Sequence, residues 1–357
     1  MSNLPKTQKA ALLVGASAVQ VREIPLEAIL PGQIRVRIES ATTCGTDLKT
    51  FLRGGHPKII KSLPSPFGHE MAGTVVEITT DVSRFKIGDR VVVANSAPCQ
   101  ICFYCKRDKF NLCDNIQFIN GAFSQYLVVP REFVETNVHK IPDSLRMNQA
   151  SLAEPLACVL HAVSNLDIKA DQTVTLIGTG PMAFLFLQVL KAKQAQTILI
   201  GRNEERLQLA LQHGADHVLN STTTPDITAT IKNLTSGQGC DVAIDAAGQP
   251  ATWQQAVDLV CRGGKVCFYG GCAKGTTVEF DTYRLHYDEI TFMGVFHYTP
   301  AIMRSAIEML ANGSIDTTLF ISERRTLDDI ERIYSGQDSN PHALKYFIDP
   351  HAERKSP

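Results

Sequence analysis

From Thr173 onward, short apolar and β-branched runs alternate with segments of helical length, and that rhythm leaves few folds open. The runs are Thr173–Gly178, Thr197–Gly201, His217–Leu219, Asp241–Asp245, Lys265–Tyr269 and Ile290–Met293. Between them lie Pro181–Lys193 with proline in its first turn, Asn203–His213 stopping at Gly214, Asp226–Leu234, and Ala251–Cys261 ending at Gly263-Gly264. Parallel neighbours need a long crossover, so strands spaced by helices predict a doubly wound parallel sheet. The earlier part of the chain reads differently. Lys9–Val14, Gln20–Ile24, Gln33–Glu39, Ala72–Ile78 and Arg90–Ala94 are short strand-like runs with Pro and Gly between them, the pattern of a sandwich or barrel. Beyond Thr299 a helix over Ile302–Leu310 mixes with short strands.

A length of 357 residues suits about two domains. Lys+Arg 35 against Asp+Glu 36 leaves a net charge of -1, with no basic field for nucleic acid or anionic lipid. With 44% hydrophobic and 20% charged residues, the chain is neither disordered nor fibrous. Met1–Gln8 is polar, the apolar stretch Ala10–Val14 is too short for a signal peptide, and no run approaches the ~20 apolar residues of a membrane span. The expectation is a soluble cytoplasmic protein that binds neither nucleic acid nor membrane. Its ten cysteines are then reduced and hold metal or fill core, in place of forming bridges.

Four of them cluster. Cys99, Cys102, Cys105 and Cys113 follow the Arg90–Ala94 strand with spacing C-x2-C-x2-C-x7-C, which matches a closed, tetrahedral structural zinc site. An iron–sulfur cluster uses similar spacings, and four unliganded thiols are the bland alternative; nothing else in the chain points to electron transfer.

Gly178-Thr179-Gly180-Pro181-Met182-Ala183 is G-x-G-x-x-A directly after a strand and at the opening of a helix, the setting of a dinucleotide pyrophosphate site. The second strand ends at Gly201-Arg202, where an NAD site wants a carboxylate for the ribose hydroxyls. Without that carboxylate, and with Arg202 and Arg206 nearby, NADP is the expected cofactor, NAD remaining open. The alternative for Arg202 is stacking on adenine or pairing with Glu205. Ala246, Gly248, Tyr269 and Gly270 end the fourth and fifth strands, where ligands of such sheets sit. Cys158, Cys240, Cys261, Cys267 and Cys272 read as core packing.

Cys44-Gly-Thr46-Asp47, Gly68-His69-Glu70 and Glu154-Pro-Leu-Ala157 each have a bland reading when taken singly. Together with the cysteine loop and Gly178-Thr-Gly-Pro181, in this order, they resemble the zinc-dependent medium-chain dehydrogenase/reductase superfamily. Within it, the chain is most similar to the sorbitol- or iditol-like polyol and threonine dehydrogenase branch. The resemblance runs from about Ala10 to Phe347.

It implies an α/β protein with a GroES-like β-rich catalytic domain over 1–155, a Rossmann domain over 156–297 and a return to the catalytic domain over 298–357. It implies a catalytic zinc held by Cys44 and His69, with Glu70 and Glu154 as direct and near or water-mediated ligands in either order. True alcohol dehydrogenases carry Cys at the position of Glu154, so this Glu favours the polyol side. Open zinc lowers the pKa of an alcohol, whose hydride then passes to nicotinamide. Thr46 is expected to accept the hydroxyl proton, the alternative being a turn residue capping the next helix. Asp47 is expected to orient a zinc ligand. Lys49 stands where many relatives place a relay His, either as a proton shuttle or as a solvated lysine. His297 stands where polyol dehydrogenases carry a substrate-binding Arg. With Phe51, Phe118 and Tyr298 it is expected to line the pocket of a small alcohol or ketone. The expected function is therefore secondary-alcohol oxidation with NADP, in a homodimer or homotetramer. The alternatives are an NAD-dependent threonine-type amino-alcohol dehydrogenase and a non-catalytic relative.

Overall fold

A computed structural model of the protein describes residues 4–353 apart from 57, 61, 339, 341 and 342. The chain forms two compact units: residues 1–157, 298–313 and 317–357 make the first, and 158–297 with 314–316 the second.

The first unit is β-rich. Its principal sheet runs Val138–Lys140, Arg90–Val93, Glu70–Ile78, Ile34–Thr42, Lys345–Ile348, Ile321–Arg325, and Tyr126–Val129 also pairs with Ile34–Thr42. In the central strand Ile34, Val36 and Ile38 alternate with Arg35, Arg37 and Glu39, and with Ala41 they are fully buried in the core of this unit. Its register matters for the site, because Thr42 pairs with both Glu70 and Phe347. A second sheet is formed by Ala18–Pro25, Thr7–Gly15 and Ser65–Pro66. Phe51, Phe67, Phe123 and Tyr334 pack together in the core of this unit, with ring centroids 5.4–6.3 Å apart.

The second unit is a six-stranded parallel sheet in the order His217–Asn220, Gln196–Gly201, Thr173–Ile177, Cys240–Asp245, Val260–Phe268, Thr291–Gly294. The order reverses between Thr173–Ile177 and Cys240–Asp245, the switch point at which doubly wound sheets bind ligands. Helices over Pro181–Ala192, Glu204–Gln212, Ile227–Leu234 and Pro250–Leu259 connect the strands. Asn203 and Asp226 stand just outside two of these helices as N-caps, accepting from the backbone N–H of Arg206 and Ala229.

One boundary differs from expectation. The last of these helices ends at Leu259, not at Gly263-Gly264, and Val260 turns to extended backbone to begin the next strand. The two glycines are thus inside a strand, and a register shift in its pairing with Cys240–Asp245 accommodates them. Among the five remaining cysteines only Cys240 and Cys267 are buried; Cys158, Cys261 and Cys272 are half-buried, which corrects their reading as core.

Candidate active site and metal centres

Cys44 is the N-cap of the helix Gly45–Arg53, and its Sγ accepts the Thr46 backbone N–H at 3.4 Å. That places the thiol at a helix N-terminus, beside the first unpaired N–H groups of the helix. Thr46 is inside the helix and does not cap it. Gly68 precedes His69 with φ 82, and a side chain there would strike the Phe123 ring at 2.6 Å, so only glycine lets the backbone turn His69 inward.

Sγ of Cys44, a ring nitrogen of His69 and a carboxylate oxygen of Glu70 lie within 4.8 Å of one another. Nδ1 of His69 is 2.8 Å from Asp47 Oδ1, which leaves Nε2 toward the other two groups. Burial alone would lower the His69 pKa, yet Asp47 and Cys44 carry it well above its ordinary value. One thiol, one imidazole oriented by a carboxylate and one carboxylate are zinc ligands of the open, catalytic type.

Three residues of this site, Lys345, Thr42 and Tyr334, were not among those expected from the sequence. Lys345, 2% exposed, donates from Nζ to both Glu70 oxygens at 2.7 Å and to Thr43 O at 2.7 Å. Burial opposes its charge, but Glu70 and Cys44 outweigh it and raise the lysine pKa. Thr42 Oγ1 also donates to Glu70. Tyr334, buried below the helix, donates to Asp47 Oδ2 at 3.4 Å. A lysine inside the apolar run Leu344–Ile348 was the one available signal for the first; an aromatic 287 residues from Asp47 offers none.

Glu154 is in the first turn of the helix Ala153–Leu166 and buried, so it is no solvated turn residue. Burial pushes its pKa up to about 7, Glu70 and Asp47 pushing the same way and His69 and Lys345 opposing. Thr46, Asp47, Thr50, Ile59, Ile60, Phe67, His69 and Asn120 line a small hollow beside the ligand set. Lys49 is exposed on the helix of Thr46, three residues on. Phe118 is half-buried on the short strand Gln117–Phe118. Two expected pocket residues are corrected. Phe51 is 1% exposed within the core, and Tyr298 is 1% exposed with its hydroxyl donating to Asn95 Oδ1 at 2.7 Å, because both rings fill the interior of the first unit. His297 belongs to the second unit and has left-handed backbone at φ 58.

The second candidate metal centre is the cysteine loop. Sγ atoms of Cys99, Cys102, Cys105 and Cys113 lie within 4.8 Å of one another. Cys113 Sγ accepts the Cys99 N–H at 3.2 Å, and left-handed Asp108 closes the short turn Cys105–Arg107. Backbone donation at Cys105 draws the Cys102 pKa down to about 6, while burial pushes Cys105 up to about 12. Four sulfurs so close together fit a closed structural zinc. None of the ten cysteines is in a disulfide.

In the second unit, Gly178 leaves the first strand at φ 122, with its N–H on Ile200 O at 2.8 Å. Gly180 is the uncapped N-cap of Pro181–Ala192, and a Cβ built there meets nothing within 4 Å, so the space before the helix N-terminus is open, as a pyrophosphate needs. Met182 is half-buried and Ala183 fully buried behind it. A Cβ on Gly201 would lie 2.4 Å from Thr179 Cγ2, so the second strand ends without a side chain for steric reasons. Arg202 is exposed, and Arg206 folds back to donate to Thr179 O at 3.2 Å. Asp245, fully buried, joins the two glycine turns across the sheet: its carboxylate accepts the Gly248 N–H at 2.8 Å and its carbonyl the Gly270 N–H at 2.7 Å. Ala246 donates to Ile177 O at 2.9 Å, and Tyr269 packs edge-on against Phe186.

Comparison with known proteins agrees with both units. The profile of the alcohol dehydrogenase GroES-like domain matches residues 30–143, and that of a zinc-binding dehydrogenase matches 181–312. Sorbitol dehydrogenase of Bacillus subtilis (strain 168) is 30% identical over 96% of this chain and 95% of its own. The chain belongs to the zinc-dependent alcohol and polyol dehydrogenases of the medium-chain superfamily. Among solved structures of the family, a zinc-binding dehydrogenase from Sinorhizobium meliloti 1021 bound to NADP has a TM-score of 0.89 and 29% identity, covering 97% of this chain and 100% of its own. A 2R,3R-butanediol dehydrogenase from Bacillus subtilis has a TM-score of 0.86 and 26% identity, covering 96% and 100%. The fold expectation, a GroES-like domain with a Rossmann-type sheet, and the expectation of a dehydrogenase both hold.

Proposed function

We propose that the protein interconverts a secondary alcohol of polyol or cyclitol type and its ketone, with NADP as hydride carrier. The observation that carries the reading is the convergence of Cys44, His69 and Glu70 in the unit whose hollow is lined by Thr46. Zinc held by these three would act as a Lewis acid on the alcohol oxygen, and a bound nicotinamide would accept the hydride. The rest is work of the chain's own residues. Asp47 keeps the His69 proton on Nδ1 and the ring aimed at the ligand set. The Thr46 hydroxyl takes the substrate proton, and Lys49, exposed three residues on along the same helix, relays it to solvent. Glu154 supplies a buried carboxylate close to His69 and Glu70 that bears on the ligand set without being one of its three members. Lys345 holds Glu70 in place.

The preference for NADP is supported by Gly201, which has no room for a ribose-binding carboxylate, and by Arg202 and Arg206 beside it. The sorbitol and butanediol specificities of the named relatives, and the NADP of the Sinorhizobium structure, support the substrate class and cofactor. The Gly178–Met182 turn would hold the pyrophosphate, and Ala246, Gly248, Tyr269 and Gly270 at the strand ends would line the nicotinamide end. One catalytic and one structural zinc per chain, the latter on Cys99, Cys102, Cys105 and Cys113, complete the proposal. It extends to a homo-oligomer in the cytoplasm, supported by ten unbridged cysteines and, among the described residues, no helix long and apolar enough to cross a membrane. The test is steady-state kcat/KM with NADP+ and NAD+ against polyols, cyclitols, diols and amino alcohols, together with zinc analysis. Preference for NAD+, turnover confined to amino alcohols, or one zinc per chain would each overturn the corresponding part.

A further inference from the structure

A second cavity of the first unit, about 510 Å³, shares no lining residue with the hollow of Thr46 and His69. Its walls come from Arg84 and Phe85, from the strand Val138–Lys140, and from Arg304, Ile307 and Glu308 on the helix Pro300–Ala311. The i, i+3, i+4 spacing puts the last three on one side of that helix.

Three of these side chains are cations, and they are compensated unequally. Lys140 Nζ pairs with Asp89 at 2.8 Å. Arg84 directs Nη1 to the carbonyl oxygens of Val134, at 2.9 Å, and Glu135, neutral acceptors that leave its charge whole. Arg304 is exposed and makes no hydrogen bond or ion pair among the described residues. Glu308 is the one acid in the wall. The Phe85 ring lies under two of the cations, 5.4 Å from the Arg84 guanidinium carbon and 5.7 Å from Lys140 Nζ. The buried wall residue His139 registers the resulting field. Burial lowers its pKa first, and Arg304 and Arg84 add to the fall, to about 4.

A guanidinium fork matches the oxygens of a phosphate, and the volume falls within the ~300–1,000 Å³ of small-molecule pockets. Phe85, Val138 and Ile307 give the same cavity an apolar side. We propose that it binds a phosphate monoester carried on a small apolar body, with the phosphate on Arg304 and Arg84 and the body against Phe85 and Ile307. The site is separate from the redox reading and stands or falls without it.

The test is isothermal titration of the full chain with phenyl phosphate, and with inorganic phosphate and phenol as its two halves. Phenyl phosphate is expected to bind tighter than either half, with affinity falling as salt is raised. Arg304→Glu is expected to weaken it at least tenfold, and Arg84→Met to weaken it in the same direction. Arg304 is solvent-facing on its helix, so its replacement leaves the fold intact. Arg202→Ala, at the nucleotide turn, is expected to leave this binding unchanged. No binding, binding indifferent to Arg304→Glu, or binding abolished by Arg202→Ala would overturn the proposal.

Discussion

Asp47 Oδ1 sits 2.8 Å from Nδ1 of His69, both side chains buried, and this contact decides which nitrogen of the ring is free. Losing the carboxylate frees the tautomer and the ring orientation. Asp47→Ala is expected to lower catalytic zinc affinity by about 10–100-fold, read by chelator competition. Tyr334→Phe, which removes only a 3.4 Å contact, is expected to change it less than tenfold.

The two candidate metal centres differ in what they would hold together, one beside a hollow and the other within its own loop. Cys44→Ser is expected to remove one zinc and nearly all activity with little change in Tm. Cys102→Ser is expected to remove the other zinc and lower Tm by roughly 5 °C or more, read by calorimetry with metal analysis.

At the nucleotide turn, Arg202→Ala is expected to reduce kcat/KM for NADP+ by roughly 10–100-fold, the loss of a charged hydrogen bond, and to leave NAD+ nearly unaffected. Gly201→Asp alone is expected to weaken both cofactors, since its Cβ would meet Thr179 Cγ2 at 2.4 Å. Combined with Thr179→Gly, it is expected to move preference toward NAD+ in the same assay.

Lys345 and Glu70 form an ion pair with side chains 1% and 0% exposed. Lys345→Met strands a buried carboxylate and is expected to destabilise the zinc-free protein by about 3–5 kcal/mol in urea unfolding. Glu70→Gln added to it is expected to recover part of that loss, since no charge is then left unpaired.

His139 gives the stability a defined pH dependence. Its folded pKa of about 4 is below the ordinary 6.5, so between these values the unfolded chain takes up a proton that the folded one refuses. The contribution is whole above pH 6.5 and is lost as pH falls toward 4, by at most about 3 kcal/mol. His139→Gln is expected to flatten that slope in unfolding titrations between pH 7 and 4.5.

The second unit was legible because its periodicity is strong and its helix starts carry Asn203, Asp226 and Pro181. Val260 to Gly264 was not, since Cys-Arg-Gly-Gly after an apolar helix has the composition of a helix end whether or not a strand follows. The candidate ligand residues stood out through order and spacing, and Asp47 through its place three residues after Cys44. Phe51 and Tyr298 were misplaced because an aromatic side chain serves a core and a pocket wall equally well. Asp245, Tyr334 and Lys345 act through contacts that tertiary structure alone creates.

The buried ammonium that Glu70 needs lies 275 residues further along the chain. During synthesis the thiol, the imidazole and both carboxylates emerge early, and the entire parallel-sheet unit follows before their counter-charge does. A chain interrupted anywhere before Lys345 would carry Glu70 without the buried ammonium that pairs with it.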